Sequence, residues 1–140
     1  MKTLDQIIND GNYNRLNGAL VERSKELAKK IRIAMRSAEI TEIGDYSILT
    51  VKSYSGFSDT ALYIRCECDF DGYPETEYRS LEQSTSSYFA GDFNCWVVAA
   101  KGRDRLKFLN DARSILDAID AIKAERIANV EQALIVAEPL

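Results

Sequence analysis

The most regular run of hydrophobic and polar positions lies in residues 61–71. Leu62, Ile64, Cys66, Cys68 and Phe70 fall on one parity, and Tyr63, Arg65, Glu67, Asp69 and Asp71 fall on the other. Side chains of a strand point alternately to opposite faces, so this pattern predicts a strand with one face in the core and the other carrying charge. An antiparallel sheet is the usual setting for a strand that is buried on one side and wet on the other.

On either side of that run the period changes. Between residues 14 and 39, Leu16, Leu20, Leu27, Ile31, Met35 and Ala38 recur at spacings of three, four and seven, which predicts a long amphipathic helix with Asn12 or Asn14 placed to cap it. Residues 46–54 read as a first strand, with Leu49 and Val51 on one face and Tyr46, Ile48 and Tyr54 on the other. The turn chemistry of residues 55–59 joins it to the central strand as a hairpin. Beyond the Asp71-Gly72-Tyr73-Pro74 turn, residues 75–83 predict a polar edge strand. A polar loop over residues 84–92 contains Tyr88 and Phe89. Residues 93–100 then predict a fourth strand, with Phe93, Cys95, Val97 and Ala99 on one face and Trp96, Val98 and Ala100 on the other. A strand apolar on both faces is either covered twice or presents one face to a partner.

The last element is a helix over residues 104–136, for which Asp104 is the predicted cap. Phe108, Leu109, Ala112, Ile115, Leu116, Ile119 and Ile122 hold one stripe, and Ile127, Val130 and Leu134 continue it with a slight displacement. A straight helix over that range is about 50 Å long, whereas a compact domain of 140 residues is about 37 Å across. The helix must overhang, bend near Asn129, or find a partner. The expected fold is α+β, a four-stranded antiparallel sheet flanked by a long N-terminal and a long C-terminal helix. It forms a single domain over residues 1–140, with 1–12 a loose arm and 126–140 projecting.

Composition narrows the function classes. A formal net charge of -4 argues against a protein whose main work is neutralising phosphates. Three cysteines cannot form a complete set of disulfides, which favours the reducing cytoplasm. The N-terminal residues show no secretory pattern, and nowhere do about 18 apolar residues run together as a membrane span requires. The chain has no histidine, the commonest general base near neutral pH, and no catalytic or cofactor motif, so an enzyme is disfavoured and no cofactor is expected. Lys25, Lys29, Arg32 and Arg36 form one basic stripe on the first helix, beside Glu22 and Glu26, and this reads as a solvated face.

The acids Glu67, Asp69, Asp71, Glu75 and Glu77 form the sharpest polar cluster. Oxygen ligands of this kind suit a hard divalent cation, but the third Asp or Asn and the distal Glu of a calcium loop are missing. The same acids, about 7 Å apart along a strand, also suit a small acidic inhibitor or regulator of a nucleic-acid-handling complex, of the kind phages and mobile elements carry. Their plainest role is to keep a sheet edge soluble. Cys66 and Cys68 share the inward parity, and Cys95 aligns with Phe93 and Val97, so all three read as buried, inert thiols rather than zinc ligands.

What remains is surplus apolar surface. Trp96, Val98, Tyr46 and Ile48 need cover on a second sheet face, Tyr88 and Phe89 stand in a loop, and Ile127, Val130 and Leu134 lie on a helix longer than the domain. The leading expectation is a non-enzymatic binding or assembly protein whose partner is a protein, first of all a second copy of itself in a two-fold dimer.

Overall fold

The strict alternation at residues 61–71 sits in the longest strand of the sheet. The structure, a computed structural model, describes residues 13–52, 58–88 and 96–137. Helix α1 (Tyr13–Ser37) leads into strands β1 (Glu42–Ile43), β2 (Tyr46–Lys52), β3 (Ser58–Phe70) and β4 (Tyr73–Ser80). These are followed by the short strands β5 (Ser87–Tyr88) and β6 (Trp96–Val97), and by helix α2 (Gly102–Ala137). Strands β1 to β4 form a four-stranded antiparallel sheet in sequential order, preceded in the chain by the N-terminal helix and followed by the long C-terminal helix. The chain is thus α+β, as its hydrophobic pattern predicts.

Register decides which residues share a face. Tyr46 stands opposite Ile64 and Ile48 opposite Leu62; Tyr46, Leu62 and Ile64 join Ala28, Ile31 and Met35 of α1 and Phe108, Ala112, Ile115 and Ile119 of α2 in one buried cluster, against which Ile48 packs half-buried. Both helices therefore cover the same sheet face. On the other face Ala61 and Tyr63 are buried with Val97, and Leu49 and Val51 pack against them. Tyr63 thus belongs to a second, smaller core, and charge takes over its parity only from Arg65 onward.

Two turns show why the elements end where they do. Helix α1 closes with Ile40 N–H donating to Met35 C=O (2.8 Å) and Glu39 N–H to Arg36 C=O (3.0 Å), a Schellman ending. Glu39 takes the left-handed position there, at φ 56°, where glycine is the usual residue. Between β3 and β4, Asp71 and Gly72 both have positive φ, 51° and 84°. That is the two-residue hairpin turn whose twist matches the strands it joins.

The edge of the sheet differs from expectation in one respect. Its fourth strand is β1, and the residues expected to supply it, 93–100, instead contribute β6, which pairs with β5 in a separate two-stranded ribbon. Beyond β6 the chain meets β4 only at its last residue, through a parallel bridge between Ser80 and Ala99. Ser80 N–H donates to Val98 C=O (2.7 Å) and Ala100 N–H to Ser80 C=O (2.8 Å). A parallel approach is what lets this segment turn directly into α2. The N-terminal arm and residues Phe89, Phe93 and Cys95 lie outside the described residues.

Candidate interaction surface

Helix α2 begins as a tightly bound element. Its N-terminus is closed by Asp104, whose Oδ2 accepts the Lys101 N–H at 2.8 Å. The residue expected to precede the helix thus caps it from its third position, as the acidic half of a capping box does. The next residue, Arg105, is fully buried. Its guanidinium donates to the carbonyls of Ala100 (3.1 Å), Leu81 (3.1 Å) and Gln83 (2.5 Å) and to Ser24 Oγ (2.7 Å). A buried cation is tolerated only when its donors are satisfied, and here one side chain ties α2 to α1 and to the chain leaving β4. Burial pushes the Arg105 guanidinium below its ordinary value, against the pull of Asp104 and Glu22.

Two polar clusters flank this start. Arg79 pairs with Asp104 (3.0 Å) and Glu77 (3.1 Å), and its Nη2 lies 3.4 Å from Cys68 Sγ. Cys66 Sγ donates to Asp104 at 3.5 Å. Burial pushes the Cys66 thiol up to about 11, with Asp104 adding to the shift, so at neutral pH it is a protonated donor. Both cysteines are half-buried thiols. Two turns further along the same side of α2, Tyr46 Oη donates to Asp111 at 2.7 Å and its ring lies 5.4 Å from Phe108. Burial first, and then that bond, raise the Tyr46 phenol. The bond in turn holds the Asp111 carboxyl below its usual range. A groove of about 450 Å³ runs past Arg103, Leu106, Lys107, Asn110 and Asp111; it is open, and Lys107 and Asp111 are already paired at 3.0 Å.

Further along, α2 changes character. Phe108, Ala112, Ile115 and Ile119 are buried, whereas every described side chain from Lys123 to Val136 is exposed. Among them Ile127, Val130, Leu134, Ile135 and Val136 show 59% to 75% of their surface to solvent. Among the described residues Arg126 makes the last hydrogen bond from α2 to the body, donating to Glu39 C=O at 3.4 Å. The helix overhangs, and it is continuous through Asn129, where a bend was one option.

The other expected partner residues are placed differently. Tyr46 is 3% exposed and Ile48 is half-buried against the main core. They face the helices rather than an uncovered surface, because both helices settled on their side of the sheet. Val98 is half-buried. The side chains of Tyr88 and Trp96, and all of Phe89, lie outside the described residues. The acidic cluster divides. Glu75 stands opposite Cys68 and Glu77 opposite Cys66, on the helix-facing side, while Glu67 and Asp69 point the other way and Asp71 occupies the turn. Among the described residues no group of acids and cysteines is arranged to hold a metal ion. The basic stripe is partly consumed, since Arg32 makes a two-pronged pair with Glu82 at 2.8 and 3.0 Å and Lys25 reaches Ser84 at 2.8 Å.

On α2, three further exposed apolar residues, Leu116, Ile135 and Val136, stand beside the predicted ones. Leu116, 37% exposed, precedes Ile127 by eleven residues, close to three full turns. No described helix is long and apolar enough to cross a membrane. Comparison with protein-family models, with curated proteins and with solved structures gives no match.

Proposed function

We propose that this is a non-enzymatic binding or assembly protein whose working surface is the overhanging half of α2, and that it associates with itself. One observation carries the reading: five large apolar side chains between Ile127 and Val136 stand in water, on a helix whose preceding turns are packed. Scattered exposed apolar residues need no explanation, but Ile127, Val130 and Leu134 fall within about 60° of one another around the helix, and a contiguous patch of that kind marks a contact site. The neighbouring polar clusters support the same reading, because their charges are spent on one another and on the helix start. A reducing cytoplasm suits it too, since Cys66 and Cys68 are both thiols.

Size-exclusion chromatography with light scattering tests the proposal. The native chain is expected to show a mass above that of a monomer that rises with concentration. The double variant Ile127→Asp, Leu134→Asp should give a monomer of unchanged thermal stability. A native chain that stays monomeric at every concentration and captures no protein through this segment contradicts it.

A further inference from the structure

The overhang has a direction as well as a composition. On a wheel of 3.6 residues per turn, with the buried stripe of Phe108, Ala112, Ile115, Ile119 and Ile122 at the origin, Ile127, Val130 and Leu134 lie about 70° to one side. Arg105 lies about 60° to that same side, and Arg105 reaches α1 through Ser24. Leu116 falls on the stripe as well. The uncovered stripe is therefore the continuation of the flank along which α2 meets α1.

Helix α1 leaves that flank early. The two helices run in the same direction, with Ser24 beside Arg105 at one end and Glu39 beside Arg126 at the other, and α1 stops at Ser37 while α2 continues to Ala137. From Ile127 onward the place alongside α2 that α1 would fill is open. Its shape is that of a helix, and Ile127, Val130 and Leu134 are spaced three and four apart, as one helix presents knobs to another.

Resting on the self-association proposed above, we infer that a second copy of the chain fills this place with its own α2, running antiparallel, so that two overhangs lie tail to tail about a two-fold axis. Orientation follows from what is already occupied. A parallel copy would carry its own residues 102–122 along the track that α1 holds from Ser24 to Glu39. An antiparallel copy approaches from the Val136 end, and its body is carried away from the first. Charge agrees with a copy as occupant: the exposed segment holds Lys123, Arg126, Glu125 and Glu131, two of each sign, and so favours neither a basic nor an acidic partner. A two-fold contact also uses the same patch on both chains, as an isologous interface must. The overlapping helices are short, which places the contact at the small, weak end of interfaces, and association should depend on concentration.

Small-angle X-ray scattering of the native chain, from about 1 μM to about 1 mM, tests orientation and association separately. A tail-to-tail dimer gives an elongated particle whose pair-distance distribution has two maxima, one within each body and one between bodies. Val130→Asp should return the curve to that of a monomer, with unchanged circular dichroism showing that the body is intact. A compact dimer with a single maximum overturns the antiparallel arrangement and leaves self-association standing. A monomer throughout the range overturns both.

Discussion

The two halves of α2 obey the same helical periodicity and meet opposite fates. In the first half, Phe108, Ala112, Ile115 and Ile119 are buried against the sheet and α1, Asp104 closes the helix start, and Arg105 satisfies three carbonyls and a hydroxyl. In the second half, residues of equal hydrophobicity stand in solvent. An amphipathic pattern states that a helix will bury a face; it does not state whether the covering surface belongs to the same chain. Packing, not propensity, supplies most of a helix's stability, so the two halves should respond to substitution in different ways.

The largest contrast is expected from truncation. Phe108→Ala should cost about 3–5 kcal/mol in chemical unfolding. Arg105→Met, which strands two buried carbonyls and one part-buried one, should cost about 3 kcal/mol. Leu134→Ala, in dilute solution where the overhang is uncovered, should cost under about 0.5 kcal/mol. Comparable losses in both halves would show that the overhang is packed within one chain and would remove the distinction.

Alkaline pH should loosen the body and spare the overhang. Tyr46, Tyr63 and Cys66 all have ionisation raised in the folded chain, Tyr63 to about 12 and Cys66 to about 11, mainly by burial. For an acid raised on folding, the unfolded chain releases its proton first. Stability is therefore complete below the unfolded value and declines as pH rises through the folded one. Thermal unfolding followed at stepped pH should show a fall beginning near pH 9, the ordinary thiol value, and steepening beyond pH 10 as the unfolded phenols ionise. Asp111, held low first of all by its bond to Tyr46, works in the other direction: its contribution is present at neutral pH and disappears in acid below the ordinary carboxylate range. Residues 123–136 contain neither tyrosine nor cysteine. Helicity of a peptide spanning residues 120–137 should accordingly show no break near pH 9.

Smaller effects sharpen the account of the body. Glu39→Gly relieves a left-handed residue at the end of α1 and should stabilise by about 0.5–1 kcal/mol. Tyr63 Oη is buried with no well-formed hydrogen bond among the described residues, and its cross-strand neighbour Ser80 interacts with it only weakly. Tyr63→Phe should therefore be neutral or stabilise by up to about 1 kcal/mol. A loss of more than that would reveal a partner for the hydroxyl.

How far these features were legible in the sequence follows from their physical origin. The alternation at Leu62 to Phe70 and the stripe from Phe108 to Ile122 are local, periodic signals, and they located β3, α2 and most of the core. The glycine of the Asp71-Gly72 turn marked the hairpin. Other features are set by tertiary geometry and leave no periodic trace. Nothing local reveals that Tyr46 and Ile48, rather than Leu49 and Val51, face the helices, because both parities of β2 are apolar. The end of α1 carries Glu39 in place of glycine and so lacks the usual signal. Arg105 reads as one more cation on a polar helix start, and only the carbonyls of Ala100, Leu81 and Gln83, brought together by the fold, make it a buried tie. The acidic cluster looked continuous along the chain, and the hairpin register divides it between two faces. The overhang was legible from length alone, since its stripe continues past the size of the body.

Amide hydrogen exchange measured on the native chain at low and high concentration tests the central claim most directly, because it reads both halves of α2 in one experiment. The account predicts that residues 104–122 exchange slowly at every concentration, while residues 123–136 exchange quickly when dilute and become protected as concentration rises. Exchange in residues 123–136 that is independent of concentration, with no protein captured by them, would contradict it.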